Sequence, residues 1–447
     1  MKQRTVLVIG AGASGLVAAI TAARQGAAVT LLDRMKKPGR KLLITGNGKC
    51  NLSNLDPELS ARCGSSGPIE IVSIPSGKPA SPAGELFRSF GPKETISFFE
   101  ELGVAVRAQE LLVYPRSGQA QSVLNALTAE LDRLHVKARY NTEVTALTRS
   151  AESGQWTAKT EGWSYQADCV ILCCGSKAAP QTGSDGSGYA LAAMAGHTIV
   201  PVLPALTGLI CELPPLTAGA ESEETLSLSL AAGARSKAKL SLSLDGHLLA
   251  EESGELQWTD YGVSGIAAFQ LSRFAAKALL QHPTALTKDK KGAVHFQLPM
   301  TLSIDLVPDQ TETEVRAALQ RMIDHSGGTL PRKQLLGSYV HERVAALLAS
   351  SLSSEGAGGP DLASLLAANL KKVVLNVSGL RGFDQAQICI GGVRLAELDP
   401  LRLESRLAPG LFFAGEMIDV DGPCGGYNLQ WAWTSGHTAG LAAASRI

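Results

Sequence analysis

The sequence predicts an α/β fold in which a parallel-sheet domain is split by an inserted antiparallel barrel or sandwich and a helical piece. Three observations carry this. Residues 4–33 hold a strand, a glycine loop, a helix and a second strand in close succession. From about residue 198 the pattern changes to period-two alternation, the mark of half-buried strands. At 411–416 a strand, a glycine and an acid return to the chemistry of the first loop. A chain of 447 residues is too long for one simple core. Its 45% apolar and 18% charged residues are those of a globular protein.

The first element is RTVLVIGAGASGLVAAITAARQGAAVTLLD, residues 4–33. A β-branched run at 6–9 leads into Gly10, Gly12 and Gly15, spaced G-x-G-x-x-G. An alanine-rich helix follows to about Gln25, Gly26 ends it, and a strand at 28–32 closes on Asp33. Gly10 permits the tight turn, Gly12 lets a pyrophosphate approach the backbone, and Gly15 lets the helix pack on the strand. The helix N-terminus offers free N–H groups and a positive dipole end to that anion. Asp33 stands where an acid accepts from a ribose hydroxyl, which fits an unphosphorylated adenosine ribose. With strand, helix and acid all in place, the loop predicts a bound dinucleotide rather than an ordinary glycine turn.

The next segment, RMKKPGRKLLITGNGKCNLSN at 34–54, carries Arg34, Lys36, Lys37, Arg40, Lys41 and Lys49 close to the phosphate site. Such charges either neutralise a pyrophosphate or form a solvated loop. Thr45, Gly46, Asn47, Gly48 and Asn51 supply small polar groups and backbone N–H for close contact with a ring or phosphate. Cys50 has no partner at C-x4-C spacing, because Leu55 stands there, so no redox disulfide is expected. No second GxGxxG follows a strand, so no dedicated nicotinamide domain is expected either.

Residues 93–103 and 117–134 have helical periodicity, and 136–150 reads as strands. ADCVILCCG at 167–175 reads as a buried central strand ending at a glycine beside a cofactor. Further on, TLSLSLA at 225–231 and KAKLSLSLDG at 237–246 alternate apolar and polar residues. Leu226, Leu228 and Leu230 share one face, and Leu240, Leu242 and Leu244 another. Segments 310–328 and 330–352 read as helices, with Thr311 or Thr313 as a cap, and 353–361 as a flexible loop. These patterns divide the chain into a discontinuous domain, 1–197 with 387–447, and an insert at 198–386. The insert is an antiparallel barrel or sandwich to about 306 and helical over about 307–386.

The last element is GLFFAGEMIDVDGPCGGYNLQWAWTSG, at 410–436. In FAD proteins with two fingerprints, a late strand–glycine–acid segment, here ending in Gly415 and Glu416, holds the ribityl chain. The acid accepts from the ribityl hydroxyls. A helix from about Asn428 then points its positive dipole end at the pyrimidine edge of the flavin. Gly436 and Gly440, four apart, give that helix a thin face for close packing. Trp431 and Trp433 read as packing residues, whereas GPCGGYN is too polar and too glycine-rich for a core.

GAGASG, TGNGKCNLSN, GSDGSGY at 183–189, TDYGVSG at 259–265, GGVRLAEL and the C-terminal block together resemble the BaiN-type flavoproteins, which take in the aminoacetone oxidase-like FAD enzymes. The resemblance covers nearly the whole chain in order. It implies a glutathione-reductase-type FAD-binding, Rossmann-like domain with an inserted β-barrel and helical domain. It also implies FAD contacts at Gly10, Gly12, Ala13, Ser14, Gly15, Asp33, Arg40, Lys41, Gly46, Gly48, Cys50, Asn51, Val144, Gly175, Gly415, Glu416, Gly426, Asn428 and Leu429. The chain departs from the family pattern in CCGS at 173–176, CIGG at 389–392 and GVSGI at 262–266.

Lysine plus arginine equal aspartate plus glutamate, 41 against 41, so net charge announces neither nucleic acid nor membrane. The eight cysteines form no CxxC pair and the histidines no metal-like pair, so no metal is expected. No leader and no spanning segment is read. Reduced thiols in a cytoplasmic protein are the expectation.

On the substrate side the candidates are Cys424, Tyr427, Gln430, Tyr114, Arg116, Asp260 and Tyr261, with Cys424 and Tyr427 set first as catalytic residues. The reading is an FAD-dependent oxidoreductase, ahead of all a reductase of an unsaturated substrate with NAD(P)H as transient donor. Some members of the resembled family reduce ribosomal RNA uridine to dihydrouridine. Arg316, Arg321, Arg332, Lys333 and Arg343, with Lys288, Lys290 and Lys291, offer RNA a patch, but Asp309, Glu312, Glu314 and Glu342 interleave them. The alternatives are an oxidase of a small amine such as aminoacetone, producing peroxide, and a flavin-binding regulator without turnover.

Overall fold

The computed structural model describes residues 3–65, 82–214, 227–282, 286–289, 292–352 and 361–445. The chain forms two compact units, Met1–Pro204 with Gln387–Ile447, and Ala205–Ala386.

The first unit is built on a five-stranded parallel sheet, ordered Leu411–Phe413, Cys169–Leu172, Thr5–Ile9, Ala28–Leu32, Lys137–Arg139. Val8 sits between Ile171 on one side and Leu31 on the other. Side chains alternate across a strand. Val6 and Val8 therefore enter one core with the helix Ala13–Arg24, while Leu7 and Ile9 enter the other with Trp156 and Tyr427. A strand buried on both faces has no polar side to show, which is why 167–175 reads as one apolar run.

The helix Tyr427–Ser445 lies against Ala13–Arg24. A β-carbon on Gly436 would land on the Ser14 carbonyl, and one on Gly440 on the Ala18 carbonyl. The two glycines thus let the helices touch backbone to backbone. Trp433 is fully buried and donates its indole N–H to the Leu52 carbonyl at 2.9 Å; Trp431 donates to the Gly415 carbonyl at 3.2 Å. Both tryptophans are packing residues.

In the second unit, six strands close a ring: Leu209–Glu212, Gly262–Ser264, His247–Thr259, Arg235–Leu244, Met300–Asp305 and Val373–Leu380, the last pairing back to the first. All six pairings are antiparallel. Leu240 and Leu242 fill the interior, while Leu244, near the strand end, is half-buried. The expected strand at 225–231 is not one where it is described. Leu228–Ala231 is a single 3-10 turn, and the Ser227 hydroxyl accepts from the Ser229 N–H at 3.2 Å. Serine side chains that cap the backbone compete with strand pairing; Leu226 lies outside the described residues.

Thr311 caps the helix Glu312–His325 in a reciprocal box with Glu314. The long helix expected at 330–352 is two, Arg332–Gly337 and Glu342–Ser351, the second capped by His341. The loop expected at 353–361 lies, except for Asp361, outside the described residues. Among the described residues no helix is long and apolar enough to cross a membrane.

Candidate dinucleotide site

The C-terminal ends of the parallel strands carry the glycine and acidic motifs. Gly10 follows Thr5–Ile9, Asp33 follows Ala28–Leu32, Gly175 lies just beyond Cys169–Leu172, and Gly415 and Glu416 lie just beyond Leu411–Phe413. Ligands of open parallel sheets bind at that edge.

Each glycine of the first loop has its own reason. A β-carbon on Gly10 would strike the Cys173 carbonyl, and one on Gly15 the Gly10 carbonyl. At Gly12 it would meet nothing within 4 Å. Gly12 is therefore spared by the protein's own packing, and the open space beside it suits a phosphate over the helix start. Ala13 and Ser14 open that helix, and Ser14 is buried against Gly415. Asp33 accepts from the Ala11 N–H at 2.6 Å and the Met35 N–H at 2.7 Å, so it ties the loop to the second strand. Burial raises its carboxyl pKa, against those two bonds and the Arg34 charge.

TGNGKCN makes a second cradle. Gly46, Asn47, Gly48 and Cys50 all have positive φ, between 54 and 82°. Cys50 adopts it fully buried, its thiol pushed up by burial to about 12. Left-handed non-glycine residues gather at functional sites and cost of order 1–3 kcal/mol each. Asn51, in the amide orientation that satisfies its neighbours, donates to the Ser53 and Val113 carbonyls and accepts from the Gly426 N–H.

Glu416 is the most heavily engaged acid of the site. It pairs with Lys41 at 2.5 Å and accepts from the Ser176 hydroxyl at 2.7 Å and the Cys389 N–H at 3.0 Å. Ser176 and Cys389 were not among the expected site residues. Their only sequence signal is that each lies in a departure from the family pattern, CCGS and CIGG. Burial also pushes the Cys389 thiol up to about 12, so the residue offers its backbone N–H rather than a thiolate.

Other expected residues fall elsewhere. Arg40 is exposed, and Val144 is buried at the start of a separate three-stranded sheet. Leu429 packs against the core around Trp433. The Asn428 amide binds the Gly422 and Pro423 carbonyls at 2.9 and 3.0 Å, closing the GPCGGYN loop beneath the helix start. Tyr427 donates to the Asp56 carboxylate at 2.6 Å, and Arg62 meets the same oxygen at 2.7 Å. Cys424 is half-buried, with its sulfur 3.8 Å from the Gln387 amide oxygen. Gln430, expected on the substrate side, is fully buried instead and bound to Ser53, Phe90, Thr95 and Thr434. Arg34, counted with the phosphate-neutralising residues, pairs with Asp185 at 2.6 Å. None of the eight cysteines is in a disulfide. Among the described residues no group of three metal-ligating side chains gathers.

The cradle fits a flavin dinucleotide on its own chemistry. It offers open space and N–H groups at Gly12, an acid at the end of the last strand, and a helix N-terminus preceded by the left-handed Gly425 and Gly426.

Residues 4–442 match the family model described as HI0933-like protein Rossmann domain. The chain is 39% identical over 447 residues to a 3-dehydro-bile acid delta(4,6)-reductase of Clostridium scindens, covering 98% of both chains. It is 27% identical over 444 residues to a ribosomal RNA dihydrouridine synthase of Escherichia coli, covering 97% of this chain and 96% of that one. A solved 3-ketosteroid-delta4-(5alpha)-dehydrogenase of Rhodococcus jostii is similar at TM-score 0.48 and 17% identity, over 99% of this chain and 97% of that one. The chain belongs to the HI0933-like family of FAD-binding Rossmann proteins, and it is an FAD-dependent oxidoreductase.

Proposed function

We propose that this protein reduces a carbon–carbon double bond conjugated to a carbonyl, with NAD(P)H as a transient donor. The observation that carries the reading is the end-to-end likeness, at 39% identity, to a 3-dehydro-bile acid delta(4,6)-reductase. The name of the more distant relatives describes the same bond change on uracil, whose C5=C6 bond is also conjugated to a carbonyl. In either case a hydride equivalent adds at the β carbon and a proton at the α carbon. NAD(P)H supplies the first and solvent the second.

Bound FAD would supply the hydride-level redox chemistry. The chain's own part is positioning. The Gly12 backbone and the helix beginning at Ala13 would hold the pyrophosphate. Glu416, fixed by Lys41, Ser176 and Cys389, would receive the ribityl hydroxyls. The start of Tyr427–Ser445 would lie toward the pyrimidine edge, with Tyr427 and Asn428 locking the loop before it. Cys424, half-buried in that loop, would relay the solvent proton.

A small substrate suits the helical residues of the insert better than RNA. Arg316 pairs with Asp361 at 3.0 Å, and Arg343 and Arg332 bind the carbonyls of Ala232 and Leu352. Those three charges are already engaged.

The test is anaerobic. The FAD-loaded protein is bleached with NADPH and then mixed with a 3-oxo-Δ4 or 3-oxo-Δ4,6 steroid. Loss of enone absorbance with return of the flavin band supports the reading. A reduced flavin that no enone reoxidises, while uridine-containing RNA does, overturns it.

A further inference from the structure

The inserted unit holds a cavity of about 600 Å³, lined wholly by its own residues. That is within the range of roughly 300–1,000 Å³ for small-molecule sites. Three stretches line it: the start of Arg235–Leu244, the loop after Met300–Asp305, and the turn between the helices Arg332–Gly337 and Glu342–Ser351.

The chain's own bonds hold these walls. Lys371 pairs with Asp305 at 2.6 Å and donates to the Val307 and Gln310 carbonyls at 2.9 and 2.6 Å. The Val307 N–H donates to Asp305 at 2.9 Å. In the helical turn the Tyr339 and Val340 N–H groups both reach the Leu336 carbonyl, at 3.0 and 3.2 Å.

The charge of the lining is unbalanced. Residues two apart share a strand face, so Arg235, Lys237 and Lys239 stand in one row. Arg235 pairs with Glu255 at 2.8 Å and Lys239 with Glu251 at 3.0 Å. Glu255 is opposite Lys237 in the sheet register, yet its bond goes to Arg235. Lys237, the middle cation, makes no ion pair among the described residues. Asp309 is the one acid in the lining; it is exposed and pairs with neither cation.

Neutral donors accompany Lys237. The Ser236 hydroxyl accepts from the Trp258 indole at 3.4 Å, which leaves its own proton to give. His341 Nδ1 accepts from the Arg343 N–H at 3.2 Å, so the neutral ring carries its proton on Nε2. Tyr339 is half-buried, and burial keeps its phenol protonated against the pull of Arg321. Pro308 and Val340 add apolar wall. A planar carboxylate is best matched by the fork of an arginine. Here the free cation is a lysine, a compact charge with rotatable donors, joined by hydroxyl and imidazole donors from two stretches. That set suits the three oxygens of a phosphate monoester.

We propose that this cavity binds a small organic phosphate. Lys237 makes the charged contact, Ser236, Tyr339 and His341 donate to the remaining oxygens, and Pro308 and Val340 cover the organic part. The site belongs to the inserted unit alone and is independent of the reductase reading.

The test uses the FAD-loaded protein, so that the dinucleotide cradle is filled. The probe is phenyl phosphate, and benzyl alcohol is its neutral counterpart. Saturation-transfer NMR observed on the ligand, at constant ionic strength, gives Kd for each. Phenyl phosphate should bind the wild type and the alcohol should not. Lys237→Glu should raise Kd roughly tenfold or more, the loss of a charge-assisted bond, and Tyr339→Phe about fivefold, the loss of a neutral one. Lys239→Glu, in the same row but outside the lining, should change Kd far less. Far-UV circular dichroism separates a folding defect from a lost contact. No binding of phenyl phosphate, equal binding of the alcohol, no loss in Lys237→Glu, or an equal loss in Lys239→Glu overturns the site. A uridine oligonucleotide that binds more tightly than phenyl phosphate, and is released by Lys237→Glu, makes the face an RNA contact and overturns the small-ligand assignment.

Discussion

Tyr427 and Asp56, 371 positions apart, are joined by a 2.6 Å hydrogen bond from phenol to carboxylate. Burial alone would raise the Asp56 pKa, but the Tyr427 hydroxyl, the Glu58 N–H and the Arg62 guanidinium together hold it below the usual range. The Tyr427 phenol is pushed up, by burial first and by Asp56 second. A depressed carboxyl adds stability that is present above its unfolded pKa, near 4, and lost as pH falls through the folded value. The raised phenol adds stability below about 10, lost as pH rises through its folded value. Tyr427→Phe should therefore cost about 1–3 kcal/mol at pH 7. Urea unfolding at pH 7 and at about pH 2.5 checks this, and the difference from wild type should shrink at the acid end as Asp56 protonates in both proteins.

How far the sequence reached is visible in this pair. Strand, glycine loop, helix and acid over residues 4–33 are legible because each is a local choice, and the structure places Ala28–Leu32 and Leu411–Phe413 as read. Gly436 and Gly440 were legible too, since a four-residue spacing fixes one helix face. The Tyr427 bond to Asp56 was not, because no local pattern reports a partner hundreds of residues away. Gln430 fails for a related reason. It shares the first turn of its helix with Tyr427, and only tertiary packing decides that it faces Ser53 and Thr95. The alternating leucines at 225–231 misled because serine between them can cap as readily as it can line a strand.

Two glycines of one loop should behave oppositely. Gly12→Val puts its β-carbon where no protein atom stands within 4 Å, at φ −81°, which valine accepts. The variant should fold with a near-normal melting temperature yet take up no FAD, read from flavin absorbance after reconstitution. Gly15→Ala drives a methyl into the Gly10 carbonyl and should lose about 1–3 kcal/mol or more even without cofactor.

Glu416 should matter to cofactor affinity in graded fashion. Glu416→Gln keeps an acceptor for Ser176 and the Cys389 N–H but gives Lys41 no charge. Glu416→Ala strands all three. FAD fluorescence titration should show binding weakened roughly tenfold in the first and further in the second, since a bond to a charged group is worth about 1.5–3 kcal/mol.

A buried and a half-buried histidine predict acid sensitivity. His197 lies between Glu397 and Ser405, and burial lowers its pKa despite the pull of Glu397. His437 stacks on Phe90, its ring centroid 4.1 Å away, and is lowered by burial and then by Arg24. A lowered histidine adds stability above its unfolded pKa, about 6.5, and loses it as pH falls toward the folded value. The melting temperature should decline from pH 7 to pH 5, and His437→Phe, which keeps the stack without the titration, should flatten that decline.

The order in which the ribosome releases these residues gives the closing helix a further meaning. Every strand of the barrel ring lies between residues 209 and 380, so the ring can close before residue 411 is made. The parallel sheet cannot. Its edge strand Leu411–Phe413 and the covering helix Tyr427–Ser445 emerge after the ring, yet they complete a core begun at Thr5. Until then the face of Ala13–Arg24 that meets Gly436 and Gly440 is bare. During synthesis the phosphate loop is therefore made before the ring and finished after it. A ribosome stalled between the ring and residue 411 would release a chain with a complete barrel and a nucleotide domain that a chaperone must shield.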